Sequence, residues 1–571
     1  MKDVLLLFLV LAVLMGFADA AAGQELITLS EAKGRNGMVV SVSSPATEAG
    51  VNVLRAGGNA VDAAIAVEFA LAVSWPEAGN IGGGGFMMVH PPDGQEVVCI
   101  DYRETAPQAA TETMFGWDDG RHTHKIVGVP GTVHGMALAH ERYGKLPWKR
   151  VVLPAARLAA EGVVVDQALA TSLNNVLQQR SVRQNQVHQE LVRVYAKPNG
   201  RAWTVGDRLV LPDLGATLRR IADQGADGFY GGETAALLVG EMQRHGGLIS
   251  NHDLTNYRAK VRPAIHGTYK NHDIFGPPPP SSGGTCLVAM LNILEQFKLD
   301  RDRFSARNLH LFAEAMKRAY RDRALYLADP DFAQIPNRLT RKTYAQRLAE
   351  TINAVRATPS QVLTPPIELA NEPPQTTHFS VADGDGMAVS NTTTLEGSWG
   401  ARIVVEGAGF VLNNEMGDFN WFPGHTDRNG RIGTEPNRIR PGQRMLSSQT
   451  PTIVAREGRP VLVTGSPGGR TIINTTLQMV LNIVEFEMRL PEAMKAARIH
   501  HQWFPDRIMY ETFDGRITPN TLERLTSMGH SLYALPPGRY QGDAHSILID
   551  WETGTYHGVA DWRRSGAAAG Y

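Results

Sequence analysis

The 571-residue sequence predicts an α+β protein in which helices come mainly before strands. Three observations support this fold class. Apolar residues at helical spacing dominate the first part of the chain, short alternating segments dominate from about residue 377, and no internal repeat is present. Hydrophobic residues make up 43% of the chain, which is enough for the core of one large or two ordinary domains.

The first residues have the pattern of an export signal. Lys2 supplies a positive charge, an apolar stretch covers residues 4–17, and Ala18-Asp19-Ala20 fits an A-x-A cleavage site. The apolar stretch is shorter than the roughly 20 residues of a membrane-spanning helix, which disfavours a membrane anchor. We therefore expect a signal peptide at 1–20, no stable membrane span in the mature chain, and a periplasmic or secreted location.

Composition excludes several classes of function. The formal net charge of -1 gives no electrostatic reason to expect nucleic acid as a partner. Cys99 and Cys286 are too few for a disulfide framework, and Cys99 lies in a strand-like segment typical of a buried thiol. The histidine pairs at 122/124 and 500/501 lack a third ligand at useful spacing. The sequence therefore predicts no metal site.

The helical part of the chain begins at residues 59–73, where Ala, Val, Ile and Phe recur at helical spacing and Asn59 is placed to cap the helix. The glycine run 82–85 precedes an apolar strand and lacks the Lys-Ser/Thr of a phosphate loop. It therefore predicts close backbone packing and no nucleotide cofactor. Residues 147–297 read as mostly helical, and the proline-rich loop at 277–284 reads as a rigid connector into a helix near residue 285.

The second part of the chain has the texture of antiparallel strands. Residues 354–375 contain five prolines and predict an exposed linker. The strands that follow are predicted at 377–382, 387–391, 402–405, 409–412, 451–455 and 461–464, with a helix at about 471–487.

The junction of linker and strand, Gln375-Thr376-Thr377-His378, is where the sequence first indicates chemistry. A cut before Thr376 would place a new α-amine beside the hydroxyl of the same residue. A free α-amine has a pKa of about 7.7–8.0, so its neutral fraction can act as the base for that hydroxyl. The pattern alone does not decide the matter, because threonine pairs are common at the start of ordinary strands.

A second segment, Ser466-Pro467-Gly468-Gly469-Arg470, lies between a predicted strand and a predicted helix. Its glycines leave successive backbone N–H groups uncovered near a helix N-terminus, as an oxyanion hole requires. A plain strand-to-helix turn would explain the same residues.

These segments occur together with three further motifs, and with them the sequence resembles the γ-glutamyltranspeptidase (γ-glutamyltransferase) family of N-terminal-nucleophile hydrolases. The resemblance extends from about residue 30 to Tyr571. Its most specific motifs are 375–378, Leu412-Asn413-Asn414-Glu415-Met416, Leu446-Ser447-Ser448, 464–469 and Asp101-Tyr102-Arg103-Glu104. The resemblance implies an αββα sandwich built from both subunits of a self-cleaved precursor, with a large subunit at 21–375 and a small subunit at 376–571.

The resemblance also implies roles for single residues. Thr376 matches the family's processing residue and nucleophile, with cleavage between Gln375 and Thr376, and Thr394 matches the threonine that hydrogen-bonds its hydroxyl. Gly468 and Gly469 match the oxyanion-hole amides. The substrate's α-carboxylate would be held by Arg103, Ser447 and Ser448, and its α-amine by Glu396, Glu415 and Asp418.

The charge pattern agrees with these roles independently. A γ-glutamyl group carries a carboxylate and an ammonium on one carbon, so it needs a cation with hydroxyl donors and nearby anions. Arg103 near Glu104 would otherwise read as a surface ion pair, and Asp418 as a turn residue.

Three departures from the family pattern surround the lid of the site. Position 396 is Glu where many members have Asn, position 417 is Gly where an acid is common, and residues 419–424 differ from the best-known members. These changes bear on acceptor preference and on the ratio of transpeptidation to hydrolysis.

The function implied is that of a γ-glutamyltransferase and glutathione hydrolase without cofactor or metal, passing the acyl group to water or to an amino acid or peptide. One alternative is a relative acting on another amide, such as a cephalosporin or glutaryl acylase or a poly-γ-glutamate-cleaving enzyme. Another is a non-catalytic binding paralogue. The intact donor-site residues favour a γ-glutamyl donor, and the presence of Thr376 and Gly468 argues against the paralogue.

Overall fold

The structure is a computed structural model that describes residues 29–92, 94–363, 376–422 and 434–571. The predicted signal peptide, Gln375, and the predicted linker from residue 364 onward lie outside the described residues. In the described ranges, no helix combines the length and the apolar character needed to cross a membrane.

Strands are spread along the whole described chain. Numbered in chain order, their bounds are β1 Ser30–Gly34, β2 Gly37–Ser41, β3 Gly84–His90, β4 Val98–Asp101, β5 Val163–Val164, β6 Arg208–Leu209, β7 Lys260–Pro263, β8 Ile265–Tyr269, β9 His272–Gly276, β10 Thr377–Asp383, β11 Ala388–Thr394, β12 Thr452–Arg456, β13 Arg459–Thr464, β14 Ile499–His500, β15 Ile508–Tyr510, β16 Leu532–Ala534, β17 His545–Asp550, β18 Thr555–Ala560 and β19 Ala567–Gly570.

Helices fill most of the intervals between these strands. Their bounds are Ser44–Arg55, Ala60–Ser74, Thr132–Tyr143, Trp148–Glu161, Gln167–Gln178, Arg180–Gln184, Gln189–Tyr195, Pro212–Gln224, Asp227–Tyr230, Gly232–His245, Asn251–Asn256, Gly283–Leu294, Ala306–Tyr326, Lys342–Glu350, Thr471–Val484, Leu490–Lys495 and Pro519–Ser527. Short 3-10 turns occur at His124–Ile126, Gln186–His188, Asn337–Thr340, Ser360–Leu363, Glu415–Asp418 and Glu435–Asn437.

Two large antiparallel sheets form the centre of the molecule. The first sheet has the order β1-β18-β17-β13-β12-β9-β8, and the second has the order β19-β2-β10-β11-β3-β4-β7. In the second sheet, β10 pairs with β2 on one side and with β11 on the other, and β11 pairs with β3. Strands from both sides of the predicted cleavage point are therefore neighbours in one sheet.

Three apolar layers show how the sheets and helices stack. One cluster lies between the sheets, because it combines Met38, Phe86 and Met88 of the second sheet with Val463 and Ile547 of the first. Burying both sheet faces requires helices outside each sheet. The helices Ser44–Arg55 and Ala60–Ser74 cover the second sheet, and Gly283–Leu294, Ala306–Tyr326 and Thr471–Val484 belong to the core on the other side of the first. The predicted αββα sandwich is confirmed.

Several predicted elements have the local causes that the sequence indicated. Asn59 caps the helix Ala60–Ser74 and forms a capping box with Asp62, whose N–H donates to Asn59 Oδ1 at 2.9 Å. The glycine run packs against β11, since a Cβ on Gly83 would lie 2.1 Å from the Thr394 carbonyl oxygen. Cys99 and Cys286 are buried free thiols.

Two predictions of secondary structure are wrong. Residues 402–405 and 409–412 form only an isolated bridge between Val404 and Val411. Arg402 and the glycines at 407 and 409 have positive φ angles, which interrupt extended backbone. The interval 147–297 is mostly helical, as predicted, and it also contains the strands β5 to β9.

Candidate active site

Thr376 immediately precedes β10 and is 4% exposed. The register of β10 and β11 pairs Thr377 with Thr393, which brings Thr394 beside Thr376. The Thr376 hydroxyl donates to Thr394 Oγ1 at 3.4 Å, and Thr394 Oγ1 also accepts the Glu396 N–H at 2.8 Å. Arg564 Nη1 donates to the Thr376 carbonyl oxygen at 3.2 Å. The backbone and the hydroxyl of Thr376 are thus both held by neighbouring residues.

The glycine pair predicted as an oxyanion hole lies directly before the helix Thr471–Val484. Gly468 has φ +132° and Gly469 has φ +57°, so both occupy backbone conformations that favour glycine. In the described part of the chain, neither glycine N–H has a hydrogen-bond acceptor. This arrangement leaves two amide donors at a helix N-terminus, where they can stabilise a developing negative charge.

The loop that carries the glycine pair is packed against the strand that follows Thr376. A Cβ on Gly465 would lie 2.4 Å from the imidazole of His378, so only glycine fits at this position. Burial holds the pKa of His378 well below its usual value. The neutral ring hydrogen-bonds Thr392 Oγ1 at 2.9 Å. The distance between Thr376 and the glycine loop is therefore set by a buried contact.

Arg103 follows β4 and is 1% exposed. Its guanidinium forms ion pairs with Glu415 Oε2 at 2.7 Å, Asp418 Oδ2 at 2.5 Å and Glu104 Oε2 at 3.5 Å. Its Nε donates to the Met445 carbonyl oxygen at 3.3 Å. Arg103 thus contacts two of the three carboxylates that were predicted to hold the substrate's amine.

Burial and charge act in opposite directions in this cluster. Burial opposes the charged form of Arg103, but Glu415, Glu104 and Asp418 raise its pKa above the usual value. Burial also raises the pKa values of Glu415 and Glu104, although Arg103 opposes the rise. Among the described residues, this cluster has three carboxylates around the Arg103 guanidinium, which suits it to accept a further cation.

Ser447 and Ser448 are held by the proline-rich loop that precedes the helix Gly283–Leu294. The Ser447 N–H donates to the Pro280 carbonyl oxygen at 2.9 Å, and the Ser282 N–H donates to the Ser447 carbonyl oxygen at 2.8 Å. Ser281 Oγ donates to the Gln449 carbonyl oxygen at 2.5 Å. The predicted rigid connector therefore fixes the backbone of the serine pair.

Glu396 lies on the other side of the pocket and has φ +73°, an uncommon conformation for a residue with a side chain. Its carboxylate is in close contact with Arg121 Nη1 and with Asn414 Nδ2. The Arg121 guanidinium lies 5.3 Å from the centre of the Trp421 ring, which stacks on Phe115 at 4.2 Å. Aromatic and charged groups together form this side.

One small pocket brings most of the predicted site residues together. It is lined by Arg103, Thr376, Thr394, Glu396, Asp418, Ser447, Ser448 and Gly469, with Gln449 and Ile472. Glu415 is fully buried and does not line the pocket, but it forms an ion pair with Arg103, which does. Gly468 precedes Gly469 in the chain. Gln375 lies outside the described residues.

Two clusters in the described chain could each offer three metal ligands, and neither shares a residue with the pocket. They consist of His124, Glu241 and His245, and of His310, Glu314 and His530. Their carboxylates already have cationic partners. Arg244 pairs with Glu241 at 2.7 Å, and Arg318 pairs with Glu314 at 2.5 Å. Ion pairs account for both clusters, and the absence of a catalytic metal stays a prediction.

Sequence reasoning missed several polar residues that contact the predicted site, and four of them are described here. Three are arginines far away in the chain, and their contacts depend on tertiary structure that no local motif reveals. These residues are Arg121, Ser282, Arg323 and Arg564.

One family model and several known proteins are similar to this chain in sequence or in fold. A family model described as gamma-glutamyltranspeptidase matches residues 46–571. A glutathione hydrolase proenzyme from Escherichia coli (strain K12) is 42% identical over 540 residues, which cover 93% of this chain and 91% of that protein. The structure of a cephalosporin acylase from Bacillus halodurans has a TM-score of 0.85 at 26% identity, covering 97% of this chain and 99% of its own. A γ-glutamyltranspeptidase structure from Helicobacter pylori has a TM-score of 0.53 at 38% identity, covering 56% of this chain and 93% of its own.

Proposed function

The chain belongs to the γ-glutamyltranspeptidase family, and from this premise we propose how it works as a γ-glutamyltransferase and glutathione hydrolase. One observation carries the proposal. A single pocket combines the hydroxyl of Thr376 with Arg103, Asp418, Ser447 and Ser448, the groups that a γ-glutamyl donor requires.

The first step is self-cleavage before Thr376. The Thr376 hydroxyl attacks the carbonyl carbon of Gln375, and the acyl group moves from nitrogen to oxygen. Hydrolysis of the resulting ester frees the α-amine of Thr376. This produces a large subunit, residues 21–375 after removal of the signal peptide, and a small subunit, residues 376–571.

The second step is attack on the donor. The free α-amine takes the proton of the Thr376 hydroxyl, and the oxygen attacks the γ-carbonyl of glutathione or a related donor. Thr394 orients the hydroxyl, and the N–H groups of Gly468 and Gly469 stabilise the oxyanion. The protonated α-amine then returns this proton to the leaving nitrogen, so that collapse of the tetrahedral intermediate releases the amine product and leaves an acyl-enzyme ester. Water or the amine of an amino acid or peptide then removes the γ-glutamyl group.

Donor recognition uses opposite charges on one substrate carbon. The α-carboxylate is bound by Arg103 and the hydroxyls of Ser447 and Ser448, and the α-amine by Asp418 and Glu396, with Glu415 behind Arg103. This pairing requires both charged groups of the donor. The export-signal pattern at residues 1–20 supports a periplasmic or secreted location.

An acylase function is the second candidate, because the cephalosporin acylase structure matches over 97% of this chain. The intact amine-binding carboxylates favour the γ-glutamyl donor. Glutaryl-p-nitroanilide, which lacks the α-amine, distinguishes the two. Turnover comparable to that of γ-glutamyl-p-nitroanilide would support the acylase.

The test of the nucleophile is a denaturing gel combined with a γ-glutamyl-p-nitroanilide assay. Wild-type protein should give two bands, with Thr376 at the N-terminus of the smaller one. Thr376→Ala should give one inactive chain, because alanine has no hydroxyl for the acyl shift or the attack. Thr376→Ser should still be processed. Cleavage at the same bond and retained activity in Thr376→Ala would refute the assignment.

A further inference from the structure

A buried arginine stands behind the serine pair of the pocket. Arg323 lies in the last turn of the helix Ala306–Tyr326 and is 2% exposed. Its Nη2 donates to Ser448 Oγ at 2.9 Å, and its Nε donates to Ser282 Oγ at 2.9 Å. Ser282 Oγ in turn donates to the Ser447 carbonyl oxygen at 2.6 Å. The same guanidinium is therefore linked to both serines of the pocket.

The direction of these hydrogen bonds determines what Ser448 can do. A serine hydroxyl has one hydrogen to donate and two lone pairs that accept. A guanidinium can only donate, so it occupies a lone pair of Ser448 Oγ and leaves the hydroxyl hydrogen for another acceptor. Because Ser448 lines the pocket, that hydrogen is available to a carboxylate oxygen of the donor. The positive charge behind the oxygen also makes the hydroxyl a stronger donor.

The balance of charge gives a second reason. Arg103 is shared among three carboxylates, those of Glu104, Glu415 and Asp418. A bound α-carboxylate would add a further acidic group beside this guanidinium. Arg323 places another positive charge on the side of the pocket where the serines bind that carboxylate.

Resting on the proposed function, we propose that Arg323 is a positioning residue of the α-carboxylate subsite. It fixes the Ser448 hydroxyl as a hydrogen-bond donor and supplies the second positive charge of this subsite. Arg323 does not touch the reacting atoms, so its effect falls on donor binding and on the requirement for the α-carboxylate.

The test compares two donors that differ only in that carboxylate. γ-Glutamyl-p-nitroanilide carries it, and 4-aminobutyryl-p-nitroanilide lacks it. In Arg323→Ala the KM of the first donor should rise roughly 10- to 100-fold, the range for a hydrogen bond to a charged group. The kcat/KM of the second donor should hardly change. The discrimination between the two donors should therefore fall by about the factor by which KM rises.

A matched control is available on the same helix. Arg318 is also fully buried, and in the described chain it contacts Glu314, Thr351 and Thr358 but no residue of the pocket. Arg318→Ala should lower thermal stability and keep the discrimination between the two donors. Arg323→Gln serves as a second variant if the alanine variant does not fold, because it retains a hydrogen-bond donor without the charge. It should lose part of the discrimination.

The route through Ser448 is tested by a double-mutant cycle. If Arg323 acts by orienting this hydroxyl, Arg323→Ala should cost much less in the Ser448→Ala background than in wild type. Fully additive costs would overturn the positioning role. Unchanged discrimination in both Arg323 variants would overturn the inference altogether. A wild-type enzyme that does not turn over γ-glutamyl-p-nitroanilide would instead refute the proposed function.

Discussion

The two sides of the pocket are built in different ways. One side, the arginine–serine wall, consists of Arg103, Ser447 and Ser448, with Arg323 and Ser282 behind them. These residues are buried and are held by backbone and guanidinium hydrogen bonds.

The aromatic wall consists of Glu396, Arg121, Phe115 and Trp421. Arg121 is 28% exposed, and Trp421 is only partly buried. The departures from the family pattern at 396, 417 and 419–422 all lie on or beside this wall. Under the proposed function, the carboxylate end of the donor would meet a rigid surface. Glu396, proposed for the donor's amine, and the groups around it lie on a side that can change at less structural cost.

The largest expected effect comes from Arg103→Ala. The donor's α-carboxylate would lose its guanidinium, and three carboxylates would lose their shared cation. We expect a loss of roughly 2–5 kcal/mol in donor binding, measured as the KM of γ-glutamyl-p-nitroanilide. An essentially unchanged KM would show that Arg103 does not bind the donor's carboxylate, and the arginine–serine wall would lose its proposed role.

Removing the donor's amine should have the next largest effect. Glutaryl-p-nitroanilide would leave Asp418 and its neighbouring carboxylates without a cation, and burying unpaired charge opposes binding strongly. We expect its kcat/KM to be far below that of γ-glutamyl-p-nitroanilide. The same comparison in Arg318→Ala is the control, since among the described residues Arg318 contacts no residue of the pocket.

A pH profile sharpens the comparison further. Burial raises the pKa of Glu415, so its neutral form persists to higher pH than for an exposed glutamate. As pH rises through this pKa, the cluster gains negative charge and attracts the donor's ammonium more strongly. The KM of γ-glutamyl-p-nitroanilide should therefore fall with rising pH, and Glu415→Gln should flatten this fall. A profile identical in wild type and variant would exclude Glu415.

The smallest expected effect comes from the aromatic wall. In Arg121→Ala the partly exposed contacts with Glu396 and Trp421 are lost, and such contacts contribute about 0.5–1 kcal/mol. The donor KM should change only a few-fold, through Glu396, and the rate of transfer to amino-acid acceptors should change by a similar factor relative to hydrolysis. A large rise in donor KM would mean that Arg121 supports the donor subsite.

The sequence pattern predicted an α+β fold, whereas the αββα sandwich and the pocket residues followed from the family resemblance, whose motifs are local. Thr376, Gly468 and Ser448 each lie in a short segment whose pattern can be read without the fold. Arg323 could not be found in this way, since it meets Ser448 across 125 positions of the chain. The missed strands β7 and β8 are edge strands in the described chain, where one side lacks a partner strand and apolar alternation is weak.

The pairing of β10 with β2, and of β11 with β3, has a consequence for the cut enzyme. Hydrolysis of one peptide bond before β10 would turn an intramolecular sheet into the interface of a complex that is already assembled. The two pieces would not need to find each other by diffusion, and their separation would require opening the centre of the sandwich. Activity should therefore be independent of enzyme dilution, in contrast to a dimer that forms from free subunits.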